Sequence, residues 1–367
     1  MKQPSVVSSQ SLVVKGNIHK KSFFALIFFF FALHFLQFTA FADEFYSRAT
    51  VAIQASTGRI LYAKNPNLRL PPASTTKLMT AIIAIEELNA TDVVSISKHA
   101  SVVSASKAGF KEGDKVTVET LLYAALMKSA NDAAVALAEA VASSEEKFVD
   151  LMNTKAEAIG LKDTKFINPH GLPGPGQYTT AFDLSLMMRY ALRYPKLKEI
   201  IGTRVAEVST IRGNDLFLKN TNKLLWSDED LIGGKTGYTR QARHCFVCAA
   251  DREKTTIIVA LLGSPSRVTL WKETESMIEK GFNITANREE PVVYFTKADY
   301  DVFNMKKAVY KKNSTYRGKT PKIKKKNLSA KKKNLSPKKK KKRVSIKKRK
   351  KGKDYRVLEN NINGNAG

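Results

Sequence analysis

The chain is poor in cysteine and histidine, with two and five of these residues among 367. Two cysteines cannot build the disulfide framework of a small secreted domain. The histidines do not cluster at metal-ligand spacing, and no glycine-rich phosphate loop follows a predicted strand. The sequence therefore predicts neither a metal centre nor a cofactor, and we assign His99, His170 and His244 to structural roles.

The two cysteines, Cys245 and Cys248, belong to an apolar run over residues 244–250 that is typical of a buried strand. Residues three apart on a strand face opposite sides, and their Cα atoms lie about 10 Å apart. A disulfide needs Cα atoms about 4.4–6.8 Å apart. We therefore expect two reduced thiols that pack as small core side chains, and not a redox pair.

Acidic residues are also scarce, 33 against 62 Lys and Arg, which gives a formal charge of +29. The imbalance is local, because residues 306–356 hold 26 of the basic residues and a single acid, Asp354. Lysine blocks of this kind repel one another and favour disorder. The rest of the chain is close to neutral, so the charge predicts a disordered basic C-terminal tail over residues 306–367.

The N-terminus is typical of an export signal. Lys15, Lys20 and Lys21 precede an apolar run over residues 23–41, and Ala40-Phe41-Ala42 supplies a small-x-small cleavage pattern. We expect a signal peptide over residues 1–42. An uncleaved anchor is the alternative, since the run approaches the roughly 20 residues that cross a bilayer. Either way, the protein acts in the periplasm or elsewhere in the cell envelope.

This location bears on the partner of the basic tail. Anionic wall polymers or lipid phosphates at the envelope are the expected partners, because both carry the opposite charge. Nucleic acid is disfavoured outside the cytoplasm. A solvated extension without a dedicated partner remains the alternative.

Apolar periodicity and turn residues predict both helices and strands between the two termini. A hairpin is expected over residues 49–62, and one helix begins at or near Ser74. Further helices are expected over 118–142, with a break at 129–132, and over 181–193 and 268–282. Strands are expected around 233–237 and over 243–250, 255–262 and 291–295, and a Pro/Gly-rich loop over 168–180.

Three short motifs follow one another in the chain: Ser74-x-x-Lys77, Ser129-x-Asn131 and Lys235-Thr236-Gly237. Each is common by chance, but this combination in this order is typical of a serine acyl-transfer site that uses lysine as its base.

The first motif supplies a nucleophile and a base. Ser74 and Lys77 are three apart at the start of a helix, so their side chains share one face. A serine hydroxyl needs a group that takes its proton, and Lys77 is such a group once burial and a nearby cation, such as Lys235, make it neutral. On its own, the motif would favour a helix N-cap followed by a solvated lysine, and the other two motifs reverse that preference.

The second motif supplies a proton relay and a polar anchor. The Ser129 hydroxyl is suited to pass a proton to the leaving amine, and the Asn131 amide to bind substrate backbone and hold Lys77. The alternative is a polar break between helices, with Asn131 or Asp132 as the cap of the next one.

The third motif opens a strand beside the nucleophile, where an extended peptide could pair with the strand edge. Gly237 permits a close backbone approach, and Lys235 and Thr236 are suited to bind a terminal carboxylate. The backbone N–H groups of Ser74 and Tyr238 are the expected oxyanion hole. The site thus predicts an exopeptidase that acts on a C-terminal residue.

The chain resembles the low-molecular-mass penicillin-binding proteins, specifically the D-alanyl-D-alanine carboxypeptidases among the serine peptidases. The resemblance covers residues 45–285 and rests on the segments around the motifs: 72–80, 128–134, 168–172 and 234–239. It implies an α/β (α+β) fold of the β-lactamase/transpeptidase type, in which an antiparallel sheet is flanked by helices and the site lies against a helical lobe. It also implies removal of the terminal D-alanine from peptidoglycan stem peptides through an acyl-enzyme, and inhibition by β-lactams.

The chain departs from this family in four respects. Ala130 stands where many relatives have glycine, and Tyr238 where many have histidine. The second, all-β domain of many relatives is reduced to a short β segment or linker over residues 289–305, and lysine repeats replace a C-terminal membrane helix. The catalytic domain is therefore expected over residues 43–288.

Three functions of different kinds remain open. The first is a D-Ala-D-Ala carboxypeptidase, and the second is a related DD-endopeptidase or β-lactamase. A class A β-lactamase would need a glutamate for deacylation, which the loop 168–180 does not offer. The third is a polyanion-binding envelope protein built on a catalytic scaffold.

Overall fold

The computed structural model describes residues 45–104 and 106–295. The predicted signal peptide and basic tail lie outside these residues, as do residues 43 and 44 of the predicted catalytic domain and 296–305 of the predicted linker. Within the described part, no helix has the length and apolar composition that crossing a bilayer requires.

The described residues contain these strands in chain order: β1 (Ala49–Gln54), β2 (Ile60–Lys64), β3 (Val93–Ser95), β4 (Lys115–Thr117), β5 (Val205–Ser209), β6 (Asp215–Lys219), β7 (Leu231–Thr239), β8 (Arg243–Arg252), β9 (Thr255–Ser264) and β10 (Val292–Tyr294). Their α-helices are α1 (Lys77–Glu87), α2 (Lys98–Val102), α3 (Val118–Met127), α4 (Asn131–Ala142), α5 (Glu145–Ala158), α6 (Ala181–Ala191), α7 (Pro195–Gly202) and α8 (Arg267–Thr285). The predicted hairpin, the break between α3 and α4, and the strands around 233–237, 243–250, 255–262 and 291–295 are confirmed.

Six strands form the main sheet in the order β10-β2-β1-β9-β8-β7. The neighbouring pairs are antiparallel, except that β10 runs parallel to β2. Residues of the predicted 289–305 segment thus extend this sheet at one end. The strand that carries the third motif, β7, lies at the other end, where one of its edges has no strand partner among the described residues.

The two faces of the sheet bury separate apolar clusters. Helices α1, α3, α4, α5 and α6 pack together as a helical lobe. Along β8, Cys245 and Val247 join the cluster beneath this lobe, whereas Phe246 and Cys248 join the cluster beneath α8. Both cysteines are buried free thiols, and burial raises the pKa of Cys245 to about 12. The prediction of two reduced core thiols on opposite faces is confirmed.

Helix α1 lies in the middle of the helical lobe. Leu78, Met79 and Ile82 are fully buried in the larger cluster, and burial of each such side chain contributes about 1.5–3 kcal/mol to folding. Because these residues draw the first turn of α1 inwards, they also carry Lys77 into the interior.

Candidate active site

The three motifs meet in a cleft of about 660 Å³ beside the β7 edge of the sheet. Ser74, Ser129, Thr236, Gly237 and Tyr238 line it. They come from the turn before α1, the break between α3 and α4, and strand β7, so the fold joins segments that lie far apart in the sequence.

Ser74 belongs to a 3-10 turn, Ala73–Thr76, that runs directly into α1. Ala73 has a φ of 49°, a left-handed conformation that is costly for a residue with a side chain. Neither the turn nor α1 has a side-chain cap bond. The Ser74 hydroxyl is therefore not an N-cap, and it lies in the cleft.

Lys77 is fully buried, which excludes the solvated lysine of the alternative interpretation. Its Nζ lies 3.0 Å from Ser74 Oγ, and it donates to Asn131 Oδ1 at 2.6 Å and to the His170 carbonyl oxygen at 2.7 Å. One amine thus contacts the nucleophile, the second motif and the loop 168–180.

The protonation state of Lys77 follows from this burial. Desolvation lowers the pKa of Lys77 well below its usual range, and the positive charge of Lys235 lowers it further, against an opposing effect of Asp132. A neutral amine has two N–H groups and one lone pair. When Asn131 and His170 accept the two N–H groups, the lone pair faces Ser74 Oγ, which is the geometry of a general base.

The second motif is held by contacts that the sequence does not reveal. The Asn131 amide donates to the Ser104 carbonyl at 2.8 Å, and Asp132 accepts the backbone N–H groups of Ala108 and Gly109, each at 2.9 Å. The N-cap position of α4 is Ala130, which makes no side-chain cap bond, but Asp132 Oδ1 also accepts the first-turn N–H of Ala133 at 2.9 Å. Asn131 is therefore not the helix cap of the alternative interpretation, whereas Asp132 satisfies one N–H at the start of α4.

Ser129 and Lys235 form a second serine–lysine pair. Ser129 has a φ of 63°, and Lys235 Nζ donates to its Oγ at 2.9 Å and to the Thr236 carbonyl at 2.9 Å. Burial lowers the pKa of Lys235 to about 7. A proton on this pair is therefore mobile near neutral pH.

The remaining residues of the third motif fix the position of β7. Thr236 Oγ1 lies 2.7 Å from Thr221 Oγ1. A Cβ on Gly237 would lie 3.0 Å from the Ser74 nitrogen, so this glycine lets β7 pass close to the nucleophile's own turn. Tyr238 is exposed and packs on His244, with ring centroids 4.5 Å apart.

His170 takes part through its backbone carbonyl, a role that no side-chain motif in the sequence indicates. Its carbonyl binds Lys77, while burial lowers the pKa of its ring to about 3 and keeps the imidazole neutral. The ring nitrogen Nδ1 accepts the Leu172 N–H at 3.2 Å, and Nε2 lies 3.7 Å from Glu145 Oε1. Because the ring is neutral, we treat the Glu145 contact as packing and not as an ion pair. The sequence did contain one indication of this role, because segment 168–172 is among the segments that resemble the family.

The same loop contains a glycine whose replacement should disturb the nucleophile. Gly171 has a φ of 85°, and a Cβ there would lie 1.9 Å from the Ala73 carbonyl oxygen. Overpacking typically costs about 1–3 kcal/mol, and here the clash is with the backbone beside Ser74. We expect Gly171→Ala to lower the melting temperature and to slow acylation by a fluorescent penicillin.

Gly176→Ala is the matched control for Gly171→Ala. Gly176 lies in the same loop with a φ of 81°, but a Cβ there meets nothing within 4 Å. Gly176→Ala should therefore lose only the roughly 1–2 kcal/mol of folding stability that a left-handed conformation costs an alanine, and its acylation rate should not change. Equal loss of acylation in both variants would contradict this account.

A family model described as D-alanyl-D-alanine carboxypeptidase matches residues 36–266. The chain is 32% identical over 299 residues to the D-alanyl-D-alanine carboxypeptidase DacF of Bacillus subtilis, a match that covers 73% of this chain and 77% of the relative. It is 34% identical over 248 residues to DacC of Escherichia coli, covering 64% of this chain and 61% of the relative. The chain thus spans less than two thirds of the length of the second relative.

Solved structures show the same architecture. The crystal structure of the Streptomyces K15 DD-transpeptidase is 33% identical, with a TM-score of 0.63, and the match covers 65% of this chain and 98% of that one. The D-alanyl-D-alanine carboxypeptidase DacD from Francisella tularensis is 29% identical with a TM-score of 0.62, covering 65% and 70%. The predicted fold class is confirmed.

Proposed function

Because the chain belongs to the D-alanyl-D-alanine carboxypeptidase family of serine peptidases, we propose that it removes the terminal D-alanine from peptidoglycan pentapeptides through an acyl-enzyme on Ser74. The observation that carries this proposal is the buried Lys77 amine, 3.0 Å from Ser74 Oγ and held by two further acceptors.

Acylation begins when neutral Lys77 takes the proton of Ser74 and Oγ attacks the scissile carbonyl. The backbone N–H groups of Ser74 and Tyr238 stabilise the oxyanion. Lys235 and Thr236 bind the terminal carboxylate and place the scissile bond over Oγ.

The leaving amine needs a proton before D-alanine departs. Ser129 is suited to deliver it, because its hydroxyl lies within 2.9 Å of Lys235 Nζ and a hydroxyl both donates and accepts. Asn131 keeps Lys77 in place. Water then attacks the ester and gives a proton to the Ser129–Lys235 pair, Lys77 returns its proton to Ser74 Oγ, and the shortened peptide leaves.

The direct test is release of D-alanine from a peptide ending in D-Ala-D-Ala, measured beside hydrolysis of a penicillin and of a cross-linked dimer. D-alanine release with slow penicillin turnover supports a carboxypeptidase that β-lactams inhibit. Fast penicillin turnover without D-alanine release would instead indicate a β-lactamase, and cleavage of the dimer alone an endopeptidase.

The two buried lysines predict a bell-shaped pH profile of kcat/KM. Activity should rise with pH as Lys77 loses its proton, since burial lowers its pKa. It should fall above the pKa of Lys235, about 7 in the free enzyme, because neutral Lys235 no longer attracts a carboxylate. Arginine stays charged at all accessible pH, so Lys235→Arg should lose the alkaline limb. A profile of unchanged shape would refute the assignment.

At the level of the cell, we place the enzyme in the periplasm or cell envelope through its export signal. The tail over 306–367 retains it there by binding anionic wall polymers or lipid phosphates. Salt weakens such binding by screening. We expect the full-length protein to dissociate from isolated envelopes as the salt concentration rises. A chain that ends at Met305 should not bind the envelopes. If the shorter chain binds them at all salt concentrations, the tail is not what retains the protein.

A further inference from the structure

One wall of the active-site cleft carries cations that the proposed reaction does not use. This wall, residues 219–226, contributes Lys219, Lys223 and Trp226 to the cleft lining. Lys128 and Arg267 line the cleft as well, and no Asp or Glu among the described residues does so. Within that part of the chain, no salt bridge joins any of these four cations to a carboxylate.

The wall is held firmly against the third motif. Thr221 Oγ1 lies 2.7 Å from Thr236 Oγ1, and the Thr221 N–H donates to the Met127 carbonyl at 3.1 Å. Asn220 is buried and donates from its side chain to the Thr203 carbonyl at 2.8 Å. These contacts fix the wall beside Thr236, which binds the terminal carboxylate in the proposed reaction, so the wall lies on the leaving-group side.

Among residues 45–104 and 106–295, neither lysine of this wall is held by a carboxylate, so both are available to a ligand. Lys219 and Lys223 are both exposed, and Lys219 Nζ lies 5.6 Å from the centroid of the Trp226 ring, a cation–π contact that leaves its N–H donors available. The acids that follow in the sequence, Asp228, Glu229 and Asp230, do not line the cleft, and Asp230 pairs with Arg252 at 2.6 Å.

A leaving D-alanine carries one carboxylate, which Lys235 and Thr236 already serve in the proposed reaction. We propose that Lys219 and Lys223 recognise a second carboxylate on the leaving residue, so that the site prefers peptides whose last D-amino acid is acidic. This inference rests on the proposed function and specifies its leaving-group subsite.

The test compares three peptides that share one acyl part and end in D-Ala-D-Ala, D-Ala-D-Gln or D-Ala-D-Glu. Glutamine and glutamate have nearly the same shape, so their kcat/KM ratio isolates the charge. Two exposed ion pairs of ordinary strength should favour the D-Glu peptide about three- to tenfold, and raised salt should reduce that ratio through screening.

The variants assign the preference to residues. In the full-length chain, the double variant Lys219→Gln/Lys223→Gln should bring the Glu-to-Gln ratio close to one. Lys198→Gln removes an exposed lysine that does not line the cleft and should keep the ratio, and the tail is the same in every variant. Thermal unfolding checks that each variant is folded.

The outcomes separate this inference from the function on which it rests. If the wild type releases D-alanine but cleaves the Glu and Gln peptides equally, or if the preference survives in the double variant, the subsite is wrong and the carboxypeptidase stands. If the wild type cleaves none of the three peptides, the proposed function fails and the subsite with it.

Discussion

Ser74→Ala should abolish both the covalent penicillin adduct and the release of D-alanine, with a loss of at least about 10³-fold in kcat/KM. The substitution removes the one atom that bonds to the acyl group. It leaves Lys77 with the Asn131 and His170 acceptors that hold it, so the fold and the cleft should persist. Intact-protein mass and a D-alanine assay measure the two effects.

Ser101→Ala is the control for the removal of a hydroxyl. Ser101 belongs to α2, and its hydroxyl donates to the Lys98 carbonyl at 2.8 Å, away from the cleft. This variant should acylate as the wild type does. An adduct that persists in Ser74→Ala would mean that another side chain is the nucleophile.

Lys77→Arg should slow acylation by about 10²- to 10⁴-fold, the usual contribution of a general base. Arginine keeps the positive charge and the hydrogen-bond donors but does not become neutral. Lys77, in contrast, is fully buried and has a lowered pKa. The rate of labelling by a fluorescent penicillin measures the effect without any need for turnover.

Lys64→Arg tests whether the loss comes from a guanidinium at any buried lysine. Lys64 is also buried, but it donates to the Phe45 carbonyl and does not line the cleft. Its replacement should affect stability more than the acylation rate. Comparable slowing in both variants would argue against a base at position 77.

Several helices and strands could be predicted from the sequence because their patterns are strong. A double proline followed by apolar residues at helical spacing predicted α1, and an apolar run bounded by a polar turn predicted β8 and β9. Helix α5 was missed. It buries Phe148, Met152 and Ala156 alone, a narrow stripe that leaves most of the helix polar and weakens the periodic signal.

The candidate site also contains residues that the sequence could predict and groups that it could not. Side chains in recognisable motifs could be assigned roles from their chemistry, and the structure brings those residues together. The groups that were missed act through the backbone or through contacts distant in sequence. The His170 carbonyl has no side-chain signature, and the hydroxyl of Thr221 gains meaning only once the fold places it 2.7 Å from that of Thr236.

The central claim is that Ser74 is the acylated residue, and peptide mapping tests it most directly. Full-length wild-type protein is incubated with penicillin, digested and sequenced by tandem mass spectrometry. The account predicts a single penicilloyl group on Ser74, in the peptide that also contains Lys77. A group on Ser129 or on any other residue, or no adduct at all, would contradict it.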